Sequence, residues 1–261
     1  LGFLDELPGS SASLRARPLW SVLSGQGVPV GVVGWPLTYP VQPVLGFLVS
    51  DRFHLIADPG SYSETLDAVY PEEVWSIGSL AIRQVNDGRI PFTFDSSDEE
   101  MLAFRAPATP IWRDRVYRRI SNILRDRFAN VRFLAVRYRG LDLAGHRFLP
   151  ATPLIPFSDL ANAQGHAESL EEYYRHMDNE AGEILDLLGP DDLFLVVSGF
   201  GMEPVSVGKR LFARLIGDPD MTGTHENAPD GFLLAYGAAV KAGRLVRGSV
   251  VDVAPTVLYY L

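Results

Sequence analysis

The sequence predicts an α/β fold with a mostly parallel sheet, and three observations carry that expectation. Apolar runs at Val28–Val33, at 132–138, at Leu193–Val197 and at Phe232–Tyr236 read as buried strands. Two long stretches, Thr109 to about Ala129 and about Ser169 to Leu188, repeat apolar residues at helical spacing. Strands alternating with such helices imply a parallel sheet covered by helices. Finally, the chain breaks at Gly140 just past the 132–138 run and then places Asp142 and His146 four residues apart. Open α/β sheets gather their ligands at that edge.

Taken in order, residues 1–16 are rich in Ser and Gly and read as irregular. Leu19–Leu23 predicts a short helix stopped near Gly25 and Gly27, and Val28–Val33 a buried parallel strand ended by Gly34. Pro36 and Pro40 make the next segment a loop. Leu45–Ser50 is a candidate short strand, and residues 57–70 read as loop. Pro71–Gln84 predicts a helix, because Pro71 suits a first helical position and Glu72 and Glu73 suit the amino-terminal dipole. Ser96–Glu100 resembles another helix start.

In the helix from Thr109, Ile111, Val116, Ile120, Ile123, Leu124 and Phe128 mark one apolar face, and its arginines read as solvated. Pro150–Pro156 is punctuated by proline and shows no periodicity. The helix from Ser169 carries Leu170, Tyr174, Met177, Ala181, Ile184, Leu185 and Leu188, and Gly189-Pro190 ends it. Residues 202–230 read as a long connection. Asp252 suits the N-cap of a last helix with Pro255 in its first turn. A single domain over 1–261 is the economical reading, with cap-like segments near 51–70 and 147–166.

Composition narrows the functional classes. A chain of 261 residues, 47% hydrophobic and 21% charged, has the make-up of a soluble globular protein. A net charge of −9 argues against a nucleic-acid backbone as partner, since no surplus of Lys and Arg exists to replace counterions. It leaves small anionic ligands open, because a bound cation inverts the local field. With no cysteine, any metal must be held by His, Asp or Glu. No apolar run has the length of a membrane span, and no leader is visible. The start at Leu1 and the apolar end Val257–Leu261 read as a piece of a longer protein, and neither compartment nor oligomeric state follows.

Asp142 and His146 alone fit two readings, a turn cap over a packed imidazole or part of a metal site. His225, in Thr222-Gly223-Thr224-His225-Glu226-Asn227 just before a buried strand, favours the second. One carboxylate and two imidazoles form an ordinary ligand set for a borderline metal with a position left open. His54, His166 and His176 read as structural, and Asp178 as an intrahelical or anchoring carboxylate. Ser198-Gly199-Phe200-Gly201-Met202 reads as a glycine turn after a strand. Neither a serine-hydrolase elbow nor a glycine-rich phosphate loop occurs.

Several motifs in series resemble the alkaline phosphatase superfamily, above all its type I phosphodiesterase/nucleotide pyrophosphatase branch. They are Asp142-Leu-Ala-Gly-His146, Val196-Val-Ser-Gly-Phe-Gly-Met202, Gly223-Thr-His225 leading to Pro229-Asp-Gly231 and Gly237, and Asp252-Val-Ala-Pro-Thr256. Val32–Pro40 with Gly46–Ser50 adds to the likeness, which spans roughly 19–261. The resemblance implies a three-layer α/β/α fold and a metal-dependent phosphoric ester hydrolase. In such enzymes two metal ions, typically zinc, bind the phosphoryl group and one activates a threonine or serine. The resemblance puts Asp142, His146 and His225 on one ion.

The chain departs from the family pattern at one motif. Where the family has Ser-Asp-His-Gly, whose Asp and His bind the other ion, this chain has Ser198-Gly199-Phe200-Gly201. The segment with the family's nucleophile is expected before Leu1, so no catalytic residue is assigned. The resemblance therefore implies one retained cation site and a lost second one. It leaves three readings: a divergent hydrolase acting on a phosphate-ester small molecule, a non-catalytic relative that binds a phosphorylated ligand or protein partner, and a structural domain without metal.

Overall fold

The computed structural model describes residues 9–56, 66–87, 110–149, 160–215, 222–244 and 247–261. Contacts gather them into two compact units, one from the described residues of Leu1–Pro91, Phe104–Tyr138 and Val253–Leu261, the other from those of Arg139–Asp252. The helix start expected at Ser96–Glu100 and the stretch Pro150–Pro156 lie outside the described residues, as do parts of the segments near 51–70 and 147–166.

The first unit holds a four-stranded sheet. Strand β1 (Val30–Trp35) runs parallel to β2 (Gly46–Ser50) on one side and to β4 (Phe133–Val136) on the other. The short β3 (Val69–Tyr70) adds antiparallel to β2, so the order is β3-β2-β1-β4 and the sheet is mostly parallel, as expected. The register places Gly31 opposite Phe47. A Cβ at Gly31 would lie 2.9 Å from two ring carbons of Phe47, so the bare strand makes room for that ring.

Helix α1 (Leu19–Gly25) precedes β1, and α2 (Phe53–Ile56) is a single turn after β2. Helix α3 (Val74–Asn86) starts three residues later than Pro71, the expected first position. The Pro71 carbonyl instead accepts the Val74 N–H ahead of the first turn. Helix α4 (Pro110–Arg127) presents Trp112, Val116, Tyr117, Ile120 and Leu124 to a core shared with Phe47, Val49, Phe53, Val74, Ile77 and Val85. Each such side chain withdrawn from water contributes about 1.5–3 kcal/mol.

One expectation for α4 is corrected. Arg115 and Arg118 are not solvated but 5% and 8% exposed, beside Asp114 at 1%. None of the three is without a partner. The last helix of this unit, α8 (Val253–Tyr260), follows a 3-10 turn at Val250–Asp252, where the Asp252 carboxylate accepts the Ser249 N–H.

The second unit contains α5 (Gly140–Phe148), α6 (Leu160–Leu185), a ribbon of β5 (Phe194–Phe200) and β8 (Asp230–Tyr236), and the short pair β6 (Glu203–Pro204) and β7 (Gly223–Thr224). Helix α7 (Val207–Leu215) lies between the strands of that pair in sequence. The apolar runs at Leu193–Val197 and Phe232–Tyr236 do form strands, but they pair antiparallel with one another. They are also not buried: Val197 is 43% exposed, Leu234 and Tyr236 are each more than half exposed, and Leu193–Val196 are only half-buried. Helix α6 buries Leu170, as expected, but turns Tyr173 and His176 inward beside it and leaves Tyr174 exposed. No described helix is long and apolar enough to cross a membrane.

Tyr117 ties α4 to the end of β2. Its buried hydroxyl donates to the Ser50 carbonyl at 3.0 Å and accepts from His54 Nδ1 at 2.9 Å. Burial pushes its ionisation well above the ordinary tyrosine range. Tyr117→Phe should lower the unfolding free energy by about 1–3 kcal/mol at neutral pH, read by urea denaturation. Above about pH 10 the unfolded chain releases this proton while the folded one keeps it, so wild-type stability falls as pH rises. The gap between wild type and variant should then close by up to about 1.4 kcal/mol per pH unit; a gap constant to pH 11 would refute the assignment.

Candidate metal centre

The site is built on α5. Nine helical residues carry Asp142 in the first turn and His146 in the last, and a spacing of four sets both on one face. A carboxylate near a helix amino terminus is also favoured by the dipole. His146 Nε2 lies 3.7 Å from Asp142 Oδ1.

His225 reaches them from far along the chain. It follows β7, which β6 holds in register by pairing Glu203 with Thr224 and Pro204 with Gly223. His225 Nε2 lies 2.9 Å from the same Asp142 Oδ1. The two imidazole rings are 4.7 Å apart and nearly perpendicular, at 81°. Ligand atoms of Asp142, His146 and His225 all lie within 4.8 Å of one another. Their side chains are 31%, 24% and 27% exposed, so a small ligand can reach them.

The second nitrogen of each ring decides what the first can do. His146 Nδ1 is 2.8 Å from the Gly223 carbonyl, and His225 Nδ1 is 2.6 Å from the Gly201 carbonyl. A carbonyl only accepts, so both Nδ1 atoms carry the proton and donate it. The Nε2 atoms are thereby turned toward Asp142 as the free positions, the orientation and tautomer in which histidine ligates metal.

Distances agree with such a role. Ligand bonds of roughly 2.0–2.2 Å in a tetrahedral zinc site put neighbouring donor atoms about 3.4 Å apart. The separations of 2.9 and 3.7 Å from Asp142 Oδ1 to the two Nε2 atoms bracket that value. The donor set therefore fits a divalent cation with a small adjustment.

The surroundings hold the loop that carries His225. Glu203 accepts the Asn227 backbone N–H at 2.7 Å and its side-chain amide at 3.3 Å, while Lys209 on α7 pairs with Glu226. The Thr222 N–H donates to the His146 carbonyl at 2.8 Å, satisfying one of the orphan acceptors at the end of α5.

The remaining candidates fall elsewhere. His54 meets Tyr117, His176 is buried edge-on against Tyr173, and Asp178 is exposed on α6. The side chain of His166 is outside the described residues. Ser198 donates its hydroxyl to the Phe200 carbonyl, 2.9 Å away. A Cβ at Gly199 would meet nothing within 4 Å, so packing does not demand glycine there. Phe200 sets its ring 4.4 Å from that of His225, tilted by 59°, which adds a wall and no lone pair. Sequence reasoning missed the carbonyls of Gly201 and Gly223 as the groups that orient the imidazoles. A backbone acceptor leaves no side-chain signature; the only available signal was the pair of glycine-containing motifs themselves.

A family model described as type I phosphodiesterase / nucleotide pyrophosphatase matches residues 5–250. No curated protein and no solved structure matches the chain.

Proposed function

The chain belongs to the type I phosphodiesterase / nucleotide pyrophosphatase family, and on that premise we propose that Asp142, His146 and His225 hold one divalent cation to which the phosphoryl group of a small phosphoric ester binds. The family's members are metal-dependent hydrolases of the phosphodiesterase and pyrophosphatase type. The observation that carries the reading is the pair of imidazoles tied at Nδ1 to backbone carbonyls, with both Nε2 atoms converging on one carboxylate oxygen.

The donor chemistry favours zinc. Two imidazoles and a carboxylate suit a borderline cation and leave a coordination position for a ligand oxygen. Bound there, the ion would neutralise charge on the phosphoryl group. The chain's own residues would bind and orient: Asp142 supplies the negative charge that retains the cation, and the carbonyls of Gly201 and Gly223 keep the rings from turning away. A net charge of −9 does not oppose this, because the cation dominates the local field.

Turnover is a separate matter. Gly199 and Phe200 stand where the family motif carries Asp and His for a second ion, and neither offers a ligand atom in its side chain. Stabilisation of developing charge is usually the largest catalytic term, so a single cation supports binding far better than rapid hydrolysis. This favours a second reading, a non-catalytic relative that uses the same site to hold a phosphorylated ligand or a phosphorylated segment of a protein partner.

Two measurements test the proposal together. Elemental analysis after dialysis at low free zinc should find about one ion per chain, lost in His225→Ala, because three protein ligands define one site. Turnover of a chromogenic phosphodiester should stay near background. Two tightly held equivalents would refute the one-cation site, and metal-dependent turnover abolished by His225→Ala would establish catalysis and overturn the prediction of near-background activity.

A further inference from the structure

We propose that Gly223 and Gly145 are positioning residues whose bare contact sets the separation of His146 and His225, with Met202 closing the seam between them. This rests on the reading that those histidines hold a cation. The structure joins α5 to β7 at several adjacent points. The His146 carbonyl accepts from the Thr222 N–H, and the Gly223 carbonyl accepts from His146 Nδ1. Between those bonds the backbone of Gly223 lies directly on that of Gly145. A Cβ added at Gly223 would fall inside the contact radius of the Gly145 carbonyl oxygen and 2.7 Å from Met202 Sδ.

The two glycines differ in what opposes a side chain. At Gly223 the obstacle is backbone, and not a free one, because the Gly145 carbonyl accepts the Leu149 N–H in the closing turn of α5. A methyl group there must push β7 off the helix. His225 is next but one to Gly223 and moves with it, while His146 is next to Gly145 on the other side. At Gly145 the obstacle is the Met202 side chain, whose Sδ and Cε a Cβ would crowd, the latter at 3.0 Å. Thioether side chains adapt, so this clash is relieved by moving or shortening Met202.

The difference gives the inference its test. Gly223→Ala should weaken zinc affinity about 10- to 100-fold, the usual range for loss of a group that orients ligands. It should also reduce the intensity of the visible spectrum of the cobalt-loaded chain, which a merely structural change leaves alone. Adding Met202→Ala should not restore it. Gly145→Ala should weaken affinity about tenfold, and Met202→Ala in the same chain should restore it. Wild-type affinity in Gly223→Ala, or its recovery on adding Met202→Ala, overturns the inference.

If Gly223→Ala fails to fold, the Gly145 pair decides: no loss, or a loss that Met202→Ala does not repair, counts against it. A wild-type chain that binds no zinc sinks the cation reading and this inference with it. A wild-type chain that binds while the variants bind equally sinks the inference alone.

Discussion

Two hydrogen bonds from imidazole to backbone, His146 Nδ1 to Gly223 and His225 Nδ1 to Gly201, are the constraint on which the site depends. A histidine free to rotate and exchange tautomers is a poor ligand, because each ion bound must pay for ordering the ring. Fixing Nδ1 on a carbonyl removes that freedom in advance and leaves Nε2 as the one available donor. Since the carbonyls belong to the backbone, no single side-chain substitution deletes them. Only a displacement of the chain can. This makes the placement of Gly201 and Gly223, and not the presence of any one polar residue, the quantity the local fold has to hold constant.

The rest of the second unit can be understood as holding it. Asp142 and His146 come together by helical spacing alone, at the cost of one short helix. His225 must be brought back across about eighty residues, and the entropy of closing such a loop rises only slowly with its length. The expense lies in fixing the final approach. That is met by polar ties: the β6–β7 pair, the Glu203–Asn227 clamp, the Thr222–His146 bond and the Lys209–Glu226 pair. Apolar burial contributes less here. Among the described residues the buried apolar side chains of this unit are Ala144, Phe148, Leu170 and Tyr173, whereas the first unit holds a long contiguous core around Phe47, Phe53, Tyr117 and Leu124.

What was legible in the sequence follows the range of the interaction that fixes it. The strands at Val30–Trp35 and Phe133–Val136 and the helices at Leu19–Gly25 and Pro110–Arg127 were visible because periodicity and glycine or proline stops are local. The Asp142–His146 pair was visible for the same reason. That His225 belongs with it was suggested by residue type and by the serial motifs. Partnering was not legible. The runs Leu193–Val197 and Phe232–Tyr236 look like buried strands by composition, yet the strands they form pair antiparallel and are not buried. Arg115 and Arg118 look solvated by type, yet they are buried with partners. In each case the deciding neighbour is distant in sequence, and no local pattern encodes it.

The same distinction bears on what the site can do. Ligand geometry survives as long as the backbone around Gly201 and Gly223 is held, whereas the reach of the chemistry depends on side chains that the backbone does not dictate. At Gly199 there is open space for a side chain, so the glycine there answers no packing demand. At Phe200 an apolar ring lies against His225 and supplies no charge and no ligand atom. On the proposed reading, a cation held by one carboxylate and two imidazoles would keep net positive charge. That charge would act on a phosphoryl group in its ground state as well as in a transition state. Uniform strengthening of that kind tightens binding without accelerating reaction. On the proposed one-cation reading, the trio of Asp142, His146 and His225 would suit retention of an anion, and the acceleration of its hydrolysis would need charge placed where Gly199 and Phe200 place none.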